Sequence, residues 1–403
     1  EGNTAVGQGS MSATTTGASN VAVGLSSLYA NTTASNNTAV GKGALFANTT
    51  SPNNVAIGYG SLDAQTTGAG YNVALGYNSM TANTSGTENT AAGWNSLGTN
   101  TTGSYNTAFG GGALDENATG DYNTAVGWKA LTAASHTGDV NTAIGANSMQ
   151  ATTSGTQNTT VGANAMYAHT TGNDNVAVGH NTLDANTTGA LGVAIGKSAG
   201  GGITTGGGNT CLGAQSANNT TILTTGTNNT CLGVYAHTSA VDSVKAISIG
   251  YNVSGEGGYT TLGEGTSDIR AAHGTATWAT VSDERVKKDI EDSTVGLSFI
   301  NDLRPRTFNY RNKGDIPEEF NGYEKDSTEA YKFSTTNHGF IAQEVKEVID
   351  NHIDIADGFK LWDVRDTGQQ EVAEVSLIPM LTKAVQELSA KVEELETKLN
   401  NKE

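Results

Sequence analysis

A short pattern of small, apolar and polar positions recurs along the first two-thirds of the chain. Its consensus is Asn-(Thr/Val)-Ala-(Val/Ile/Leu/Phe)-Gly-x-x-(Ser/Ala)-(Leu/Met), and successive copies lie 17 or 18 residues apart until a last clear step of 20. The copies begin at Asn3, Asn20, Asn37, Asn54, Asn72, Asn89, Asn106, Asn123, Asn141, Asn158 and Asn175, then at Gly192 in degenerate form, and at Asn209 and Asn229. Such a fixed period is the signature of a solenoid, whose stacked repeats share one core.

Each repeat has the pattern of one β-strand followed by a turn. In the fourth copy, Val55 and Ile57 alternate with Asn54 and Ala56, which is the period of a half-buried strand, and Gly58 ends it. The repeat is too short for a βαβ crossover and carries no helical stripe. The sequence therefore predicts a mainly β fold, with a β-solenoid or β-roll shaft of 17–18-residue coils whose apolar side is buried. About fourteen coils would extend on the order of 65 Å.

A different apolar period marks the end of the chain. Apolar residues alternate in steps of three and four at Ile378, Leu381, Val385, Leu388, Val392, Leu395 and Leu399, a spacing that predicts a coiled-coil helix. β-Branched residues at the first core position with leucine at the second favour two strands. This pattern alone does not predict a trimer.

Charge changes abruptly near residue 270. Residues 1–270 contain 13 acidic and 5 basic residues, whereas residues 271–403 contain 26 and 16. We expect a shaft over 1–270, a linker with a cleavage junction over 271–281, an autoprocessing chaperone domain over 282–375 and a coiled-coil helix over 376–403. A net charge of −18 argues against a nucleic-acid partner. No apolar run approaches the roughly 20 residues that span a bilayer, so we expect no membrane insertion.

The position after the motif glycine carries a short run of aromatic residues. Tyr59, Tyr77, Trp94 and Trp128 occupy it in nearby coils, and stacking of the coils would align them in a ladder. Exposed rings can stack on sugars, which makes the ladder a candidate glycan-binding surface. The alternative is that the rings fill a contact between chains or shield turns.

The two cysteines replace the motif alanine in successive coils. Cys211 and Cys231 should therefore be near neighbours. Two sulfurs without an adjacent histidine do not suggest a metal site, and we expect no metal and no cofactor.

Candidate chemistry is confined to the charged C-terminal third. Ser282 is followed five residues later by Lys287 in the run Ser-Asp-Glu-Arg-Val-Lys. An unprotonated lysine can take the hydroxyl proton of a serine and make its oxygen nucleophilic. The same run is also typical of a helix start with serine as the N-cap.

Further motifs follow in a specific order. Leu303-Arg304-Pro305-Arg306-Thr307-Phe308-Asn309-Tyr310 predicts a strand, His338-Gly339-Phe340-Ile341-Ala342-Gln343-Glu344-Val345 leads into a helix, and Ser376-Leu377-Ile378-Pro379 opens the last helix. Together with the Ser-Asp-x-Arg-x-Lys run, these elements resemble the intramolecular chaperone domain of endosialidase-type phage tail spikes, shared with other phage fibres and the myelin regulatory factor family. The resemblance covers about residues 278–403.

This resemblance implies a trimer that cleaves itself after assembly. It would make Ser282 the nucleophile and Lys287 the base, with Asp283 and Arg285 as supporting residues near the scissile turn. Attack of the Ser282 oxygen on the preceding carbonyl passes through a five-membered ring, which favours the Val281–Ser282 bond. Cleavage on the other side of Ser282 remains open at this point.

The shaft repeats carry a second resemblance. Asn53-Asn54-Val55-Ala56-Ile57-Gly58 and its neighbours resemble the head repeat of trimeric autotransporter adhesins, a left-handed β-roll of three chains. Together the two resemblances imply a homotrimeric phage tail fibre or tail spike. Such a protein is assembled in the host cytoplasm, joins upstream tail components in the virion, and binds a glycan or protein receptor on the host surface. A glycan-degrading tail spike and a bacterial trimeric adhesin are the alternative functions.

Overall fold

The computed structural model describes residues 2–275, 278–279, 282–320, 322–332, 334–352, 361–365 and 368–401. They belong to two compact units, Glu1–Val281 and Ser282–Glu403. None of the helices in these ranges combines the length and the apolar character that a membrane span requires. The predicted fold class is confirmed: a β-solenoid shaft precedes a small α+β region that ends in a long helix.

The shaft is built from one short strand per coil. Fourteen three-residue strands carry the motif: β1 Thr4–Val6, β2 Val21–Val23, β3 Thr38–Val40, β4 Val55–Ile57, β5 Val73–Leu75, β6 Thr90–Ala92, β7 Thr107–Phe109, β8 Thr124–Val126, β9 Thr142–Ile144, β10 Thr159–Val161, β11 Val176–Val178, β12 Val193–Ile195, β13 Thr210–Leu212 and β14 Thr230–Leu232. Each strand pairs in parallel with the next coil, so that Ala56 lies opposite both Ala39 and Ala74. The sequence repeat and the structural repeat are therefore the same unit.

The side of each strand that faces the core is not the side that the sequence predicted. Ala56 is fully buried, whereas Val55 is only partly buried and Ile57 is 42% exposed. The large core side chains come instead from the Leu/Met position of the motif, such as Leu62 and Met80, which are fully buried. Because these side chains fill the narrow interior from the opposite side, only alanine-sized residues fit on the strand. The prediction that Val55 and Ile57 face the core was wrong.

The motif glycine ends every strand because the coils approach closely there. Gly58 has φ of +136°, and a Cβ placed on it would lie 2.2 Å from the carbonyl oxygen of Gly76 in the next coil. Only glycine tolerates both this conformation and this contact.

Buried asparagines join successive coils. The backbone N–H of Asn72 donates to Oδ1 of Asn54 at 3.1 Å, and Nδ2 of Asn54 donates to the carbonyl of Ser51 at 3.1 Å. Equivalent bonds recur at the first motif position along the shaft. The row satisfies buried backbone groups that the three-residue strands leave unpaired.

The shaft ends in a change of strand direction. The longer strands β16 Ile247–Tyr251 and β18 Tyr259–Glu264 continue the parallel sheet. Two shorter strands, β15 His237–Thr238 and β17 Ser254–Gly255, form a separate parallel pair. Strand β19 Ser267–Ala272 then pairs with β18 in antiparallel orientation.

The second unit has its own core. Its elements are α1 Leu297–Asp302, β20 Arg306–Phe308, β21 Asn337–Gly339, α2 Ala342–Asn351, β22 Trp362–Val364, β23 Gln370–Val372 and α3 Ile378–Asn400. Phe299 of α1 is buried among residues of all three helices, including Val345, Ile349 and Met380. This packing places one face of α3 against the domain.

Candidate functional site

The Ser282 and Lys287 side chains lie in direct contact at the first turn of the second unit. Nζ of Lys287 donates a hydrogen bond to Oγ of Ser282 at 2.7 Å. A single 3₁₀ turn, Glu284–Val286, separates the two residues, and the backbone N–H of Lys287 donates to the carbonyl of Glu284 at 3.0 Å. The segment thus folds back on itself and brings a hydroxyl group and an amine within proton-transfer distance.

Asp283 and Arg285 stabilise this turn. Oδ1 of Asp283 accepts from both the backbone N–H and Nε of Arg285 at 2.9 Å, and Oδ2 accepts from Nη2 of Arg285 at 2.6 Å. These hydrogen bonds from Arg285 lower the pKa of the Asp283 carboxyl group. Asp283 is therefore the N-cap of the turn, and Ser282 is free of that role.

Both members of the Ser282/Lys287 pair are exposed to solvent in the single chain. Val281, which carries the carbonyl of the expected cleavage bond, lies outside the described residues. Catalysis by Ser282 and Lys287 stays a prediction, supported by their contact.

Two of the three other motifs of the C-terminal unit come together in one small sheet. Strand β20 pairs with β21, with Arg306 opposite Gly339. Nε of Arg306 donates to Oε2 of Glu344 at 2.8 Å, and Nη1 of Arg304 lies 3.8 Å from Oε1 of the same carboxylate. Hydrogen bonds from Arg306 lower the pKa of Glu344. Arg304 and Arg306 therefore connect strand β20 to helix α2 through Glu344. This is a structural role, separate from the turn at Ser282.

The four aromatic residues of the predicted ladder form two stacked pairs. Tyr59 and Tyr77 stack with centroids 5.3 Å apart, and Trp94 and Trp128 stack at 6.3 Å across the coil of Gly111. A Cβ on Gly111 would lie 2.8 Å from Cζ3 of Trp128, so glycine makes room for that ring. The rings are about half exposed, and each stacks on its partner. Glycan binding by these four residues stays a prediction.

Sequence reasoning missed two other stacked pairs. Tyr105 and Tyr122 stack at 4.7 Å, and Tyr29 and Phe46 stack at 5.1 Å. Both pairs occupy equivalent positions of adjacent coils, immediately before the motif asparagine in one case and after the motif leucine in the other. Aligning every position of the repeat, and not only the one after glycine, would have found them.

The cysteine expectation is confirmed. Cys211 and Cys231 are register partners on β13 and β14, and both are buried free thiols. Burial raises the pKa of both thiols.

The heptad stripe of α3 consists of the seven apolar residues that predicted the coiled coil. All seven are exposed in the single chain, from 46% to 67%: Ile378, Leu381, Val385, Leu388, Val392, Leu395 and Leu399. The domain core instead takes Met380 and Ala384 from a neighbouring face of the helix.

Comparisons with known proteins show which family the second unit is similar to. A family model described as chaperone of endosialidase matches residues 282–354, beginning at the serine that contacts Lys287. No curated protein and no solved structure matches the chain. Residues 282–354 thus form a chaperone-of-endosialidase domain, and its place behind a β-solenoid shaft fits a tail fibre with a C-terminal chaperone domain.

Proposed function

We propose that this protein is a homotrimeric phage tail fibre or tail spike that attaches the virion to a host-cell surface and releases its own chaperone at Ser282. The observation that carries the cleavage is the 2.7 Å contact between Lys287 and Ser282 at the first residue of the matched domain. The chain would be made and assembled in the host cytoplasm and joined to upstream tail components in the virion.

The proposed reaction uses only groups of this chain and water. The unprotonated amine of Lys287 accepts the Oγ proton of Ser282, and Oγ attacks the carbonyl carbon of Val281. The bond from that carbon to the Ser282 nitrogen breaks, and the nitrogen takes the proton from Lys287, which leaves an ester. Water then attacks the ester, releasing a Val281 carboxylate and a Ser282 residue with a free amine and hydroxyl.

Solvent exposure of the pair explains why cleavage would await assembly. A lysine acts as a base when it is removed from water. Lys287 is exposed in the single chain, and burial by neighbouring chains would supply the missing desolvation. Cleavage would then occur only after the chains have assembled.

The heptad stripe of α3 supports assembly with further copies of this chain. Its seven residues remain exposed while a neighbouring face of the helix packs on α1, where the backbone N–H of Leu297 donates to Oε2 of Glu387 at 2.9 Å. An exposed apolar stripe with heptad spacing is stabilised by identical helices that bury it.

The shaft carries a second apolar surface of the same kind. The outer column is defined by the fourth position of the repeat motif, which points away from the alanine-lined core. Its exposed members are Val6, Val23, Ile57, Leu75, Phe109, Val126, Ile144, Val161, Ile195, Leu212 and Leu232. A column of this length supports burial against other shafts along their whole length.

A repetitive shaft needs help to assemble in register. Every coil presents the same motif, so two shafts can pair with a slip of one coil at little cost. A C-terminal domain that associates first would align the three chains before their shafts wind together. Cleavage then separates the shaft from the domain that aligned it and makes assembly irreversible.

Denaturing electrophoresis of the full chain tests the cleavage. The wild type should give two fragments, and mass spectrometry should place their junction between Val281 and Ser282. Ser282→Ala and Lys287→Ala should remain full length, whereas Lys288→Ala, an exposed lysine at the next position, should be cleaved. A single full-length wild-type band in correctly assembled trimer would overturn the proposal.

Attachment is tested separately with labelled trimer on a panel of bacterial strains. Saturable labelling of at least one strain is expected. Absence of saturable labelling across the panel would count against host attachment and would leave the cleavage proposal unaffected.

A further inference from the structure

A polar groove lies on the shaft surface in the coils that follow the aromatic ladder. It has a volume of about 320 Å³ and is lined by Asn147, Asn164, Tyr167, Asn181 and Asp184. This volume falls at the lower end of the roughly 300–1,000 Å³ of small-ligand sites. The five residues define the amide groove.

Three side-chain amides form a row along one side of the amide groove. Nδ2 of Asn147 donates to Oδ1 of Asn164 at 3.3 Å, and Nδ2 of Asn164 donates to Oδ1 of Asn181 at 3.2 Å. Each bond uses one of two N–H donors and one of two acceptor sites. The row therefore holds its amides in place and keeps both donors and acceptors for a ligand.

The backbone does not by itself require asparagine here. All three residues have φ near +54°, a conformation that asparagine tolerates. Equivalent positions in other coils are filled by Gly43, Gly60, Asn78, Asn95 or other residues in the same conformation. Glycine satisfies this turn without a side chain. The turn conformation therefore does not by itself require the three consecutive asparagine side chains of the amide groove.

Tyr167 differs from the other aromatic residues of the shaft. It is 45% exposed, and within the described residues no ring stacks on it. Its neighbours at the equivalent position are Gln150 and Asp184, neither of which is aromatic. A half-exposed aromatic ring beside fixed amides is a platform for a ring that is apolar on one side and rich in hydroxyl groups at its edge.

The charge of the lining residues limits the class of ligand that the amide groove can bind. Asp184 provides a carboxylate that accepts hydrogen bonds from hydroxyl groups and repels anions, and the five lining residues include no lysine or arginine. Two coil steps from Asn147 to Asn181 span about 10 Å, room for a short chain of sugars.

From these features we infer that the amide groove binds a neutral oligosaccharide, with Tyr167 stacking on a sugar ring and the three amides and Asp184 bonding to its hydroxyl groups. The inference rests on the proposed attachment function and names the receptor chemistry for it.

An array of immobilised neutral and sialylated oligosaccharides, probed with the full-length trimer, tests the inference. We expect a neutral oligosaccharide to be bound. In titration calorimetry with that sugar, Tyr167→Ala and Asn164→Gly should each raise Kd roughly ten-fold, the loss of one contact of about 1.4 kcal/mol. The glycine variant keeps the turn conformation. Tyr29→Ala, at the equivalent position of a distant coil, should leave Kd unchanged.

The possible results distinguish a failure of the amide-groove assignment from a failure of the attachment function. Binding of sialylated sugars alone, binding of no sugar, or neutral-sugar binding that Tyr167→Ala and Asn164→Gly leave unchanged would each overturn the groove assignment. Bacterial labelling that survives both variants would do the same and leave attachment standing elsewhere on the protein. Neutral-sugar binding that depends on Tyr167, without labelling of any strain, would support the groove and count against attachment.

Discussion

Oε2 of Glu387 accepts a hydrogen bond from the backbone N–H of Leu297 at 2.9 Å, joining the middle of α3 to the start of α1. The first N–H groups of a helix have no partner within it, and a carboxylate is a favourable acceptor for them. Glu387 lies on the same side of α3 as the buried Met380 and Ala384, so this bond adds to the packing that turns the heptad stripe outward.

Loss of this carboxylate should destabilise the C-terminal unit. Glu387→Ala leaves the Leu297 N–H without its acceptor and should lower the free energy of unfolding by about 1–2 kcal/mol, while Glu387→Gln should cost less. Urea denaturation followed by helical circular dichroism measures the change. Glu394→Ala on the same helix removes only an exposed pair with Lys398 and should change stability by less than about 0.5 kcal/mol. Equal effects of the two alanine variants would contradict this role of Glu387.

Self-cleavage should depend on the heptad stripe although the stripe is remote in sequence from Ser282. Leu388→Glu places a charge at its centre and should block assembly, so the chain should remain uncleaved with an intact Ser282/Lys287 pair. Light scattering gives the oligomeric state and a denaturing gel gives the cleavage. Ala390→Glu, an exposed residue two positions away off the stripe, is the matched control. Full cleavage of a monomeric Leu388→Glu chain would show that assembly is not required.

The shaft should lose stability in acid through a buried histidine. His169 is fully buried, its Nδ1 lies 3.2 Å from Oγ1 of Thr152, and burial lowers its pKa from 6.5 to about 4. The unfolded chain therefore binds this proton more readily than the folded one. Stability is complete above about pH 6.5 and falls as the pH drops to about 4, by on the order of 3 kcal/mol for this group.

Thermal denaturation between pH 8 and pH 4 measures this loss. His169→Asn, which copies Asn186 of the next coil, should reduce this loss, and the part that remains comes from the buried His136, whose pKa burial also lowers. His180→Asn changes an exposed histidine and should leave the profile unaltered. A wild-type profile that coincides with that of His169→Asn would exclude the buried imidazole as the cause.

The two cysteines should be inert in the folded shaft. Cys211 and Cys231 are each only 1% exposed, and burial raises both thiol pKa values, so the reactive thiolate is scarce and inaccessible. A thiol reagent at neutral pH should modify neither cysteine in native protein and both in denaturant. Thr33→Cys, at an exposed position, should react in the native state. Rapid native labelling of the wild type would mean that the shaft opens at these coils.

Several features follow from the sequence alone because they depend on local spacing. A motif that recurs every 17 or 18 residues can stack only with equivalent positions aligned, and this predicted both the parallel register and the adjacency of Cys211 and Cys231. The contact between Ser282 and Lys287 spans one short turn; the spacing allowed it, and the resemblance to the chaperone domain favoured it over the N-cap alternative. The heptad spacing likewise predicted helix α3 and its apolar stripe.

Only the tertiary structure decided which side of each strand is the core. A period of two has two possible faces, and apolarity favoured Val55 and Ile57, but the interior width left by the leucine and methionine side chains admits only small residues such as alanine and cysteine. The amide groove was hidden for a related reason: Asn147, Tyr167 and Asp184 come from three coils, and their common surface depends on how those coils turn between strands. Spacing along the chain determines which residues align, whereas the packing of side chains across the solenoid determines which of them face solvent.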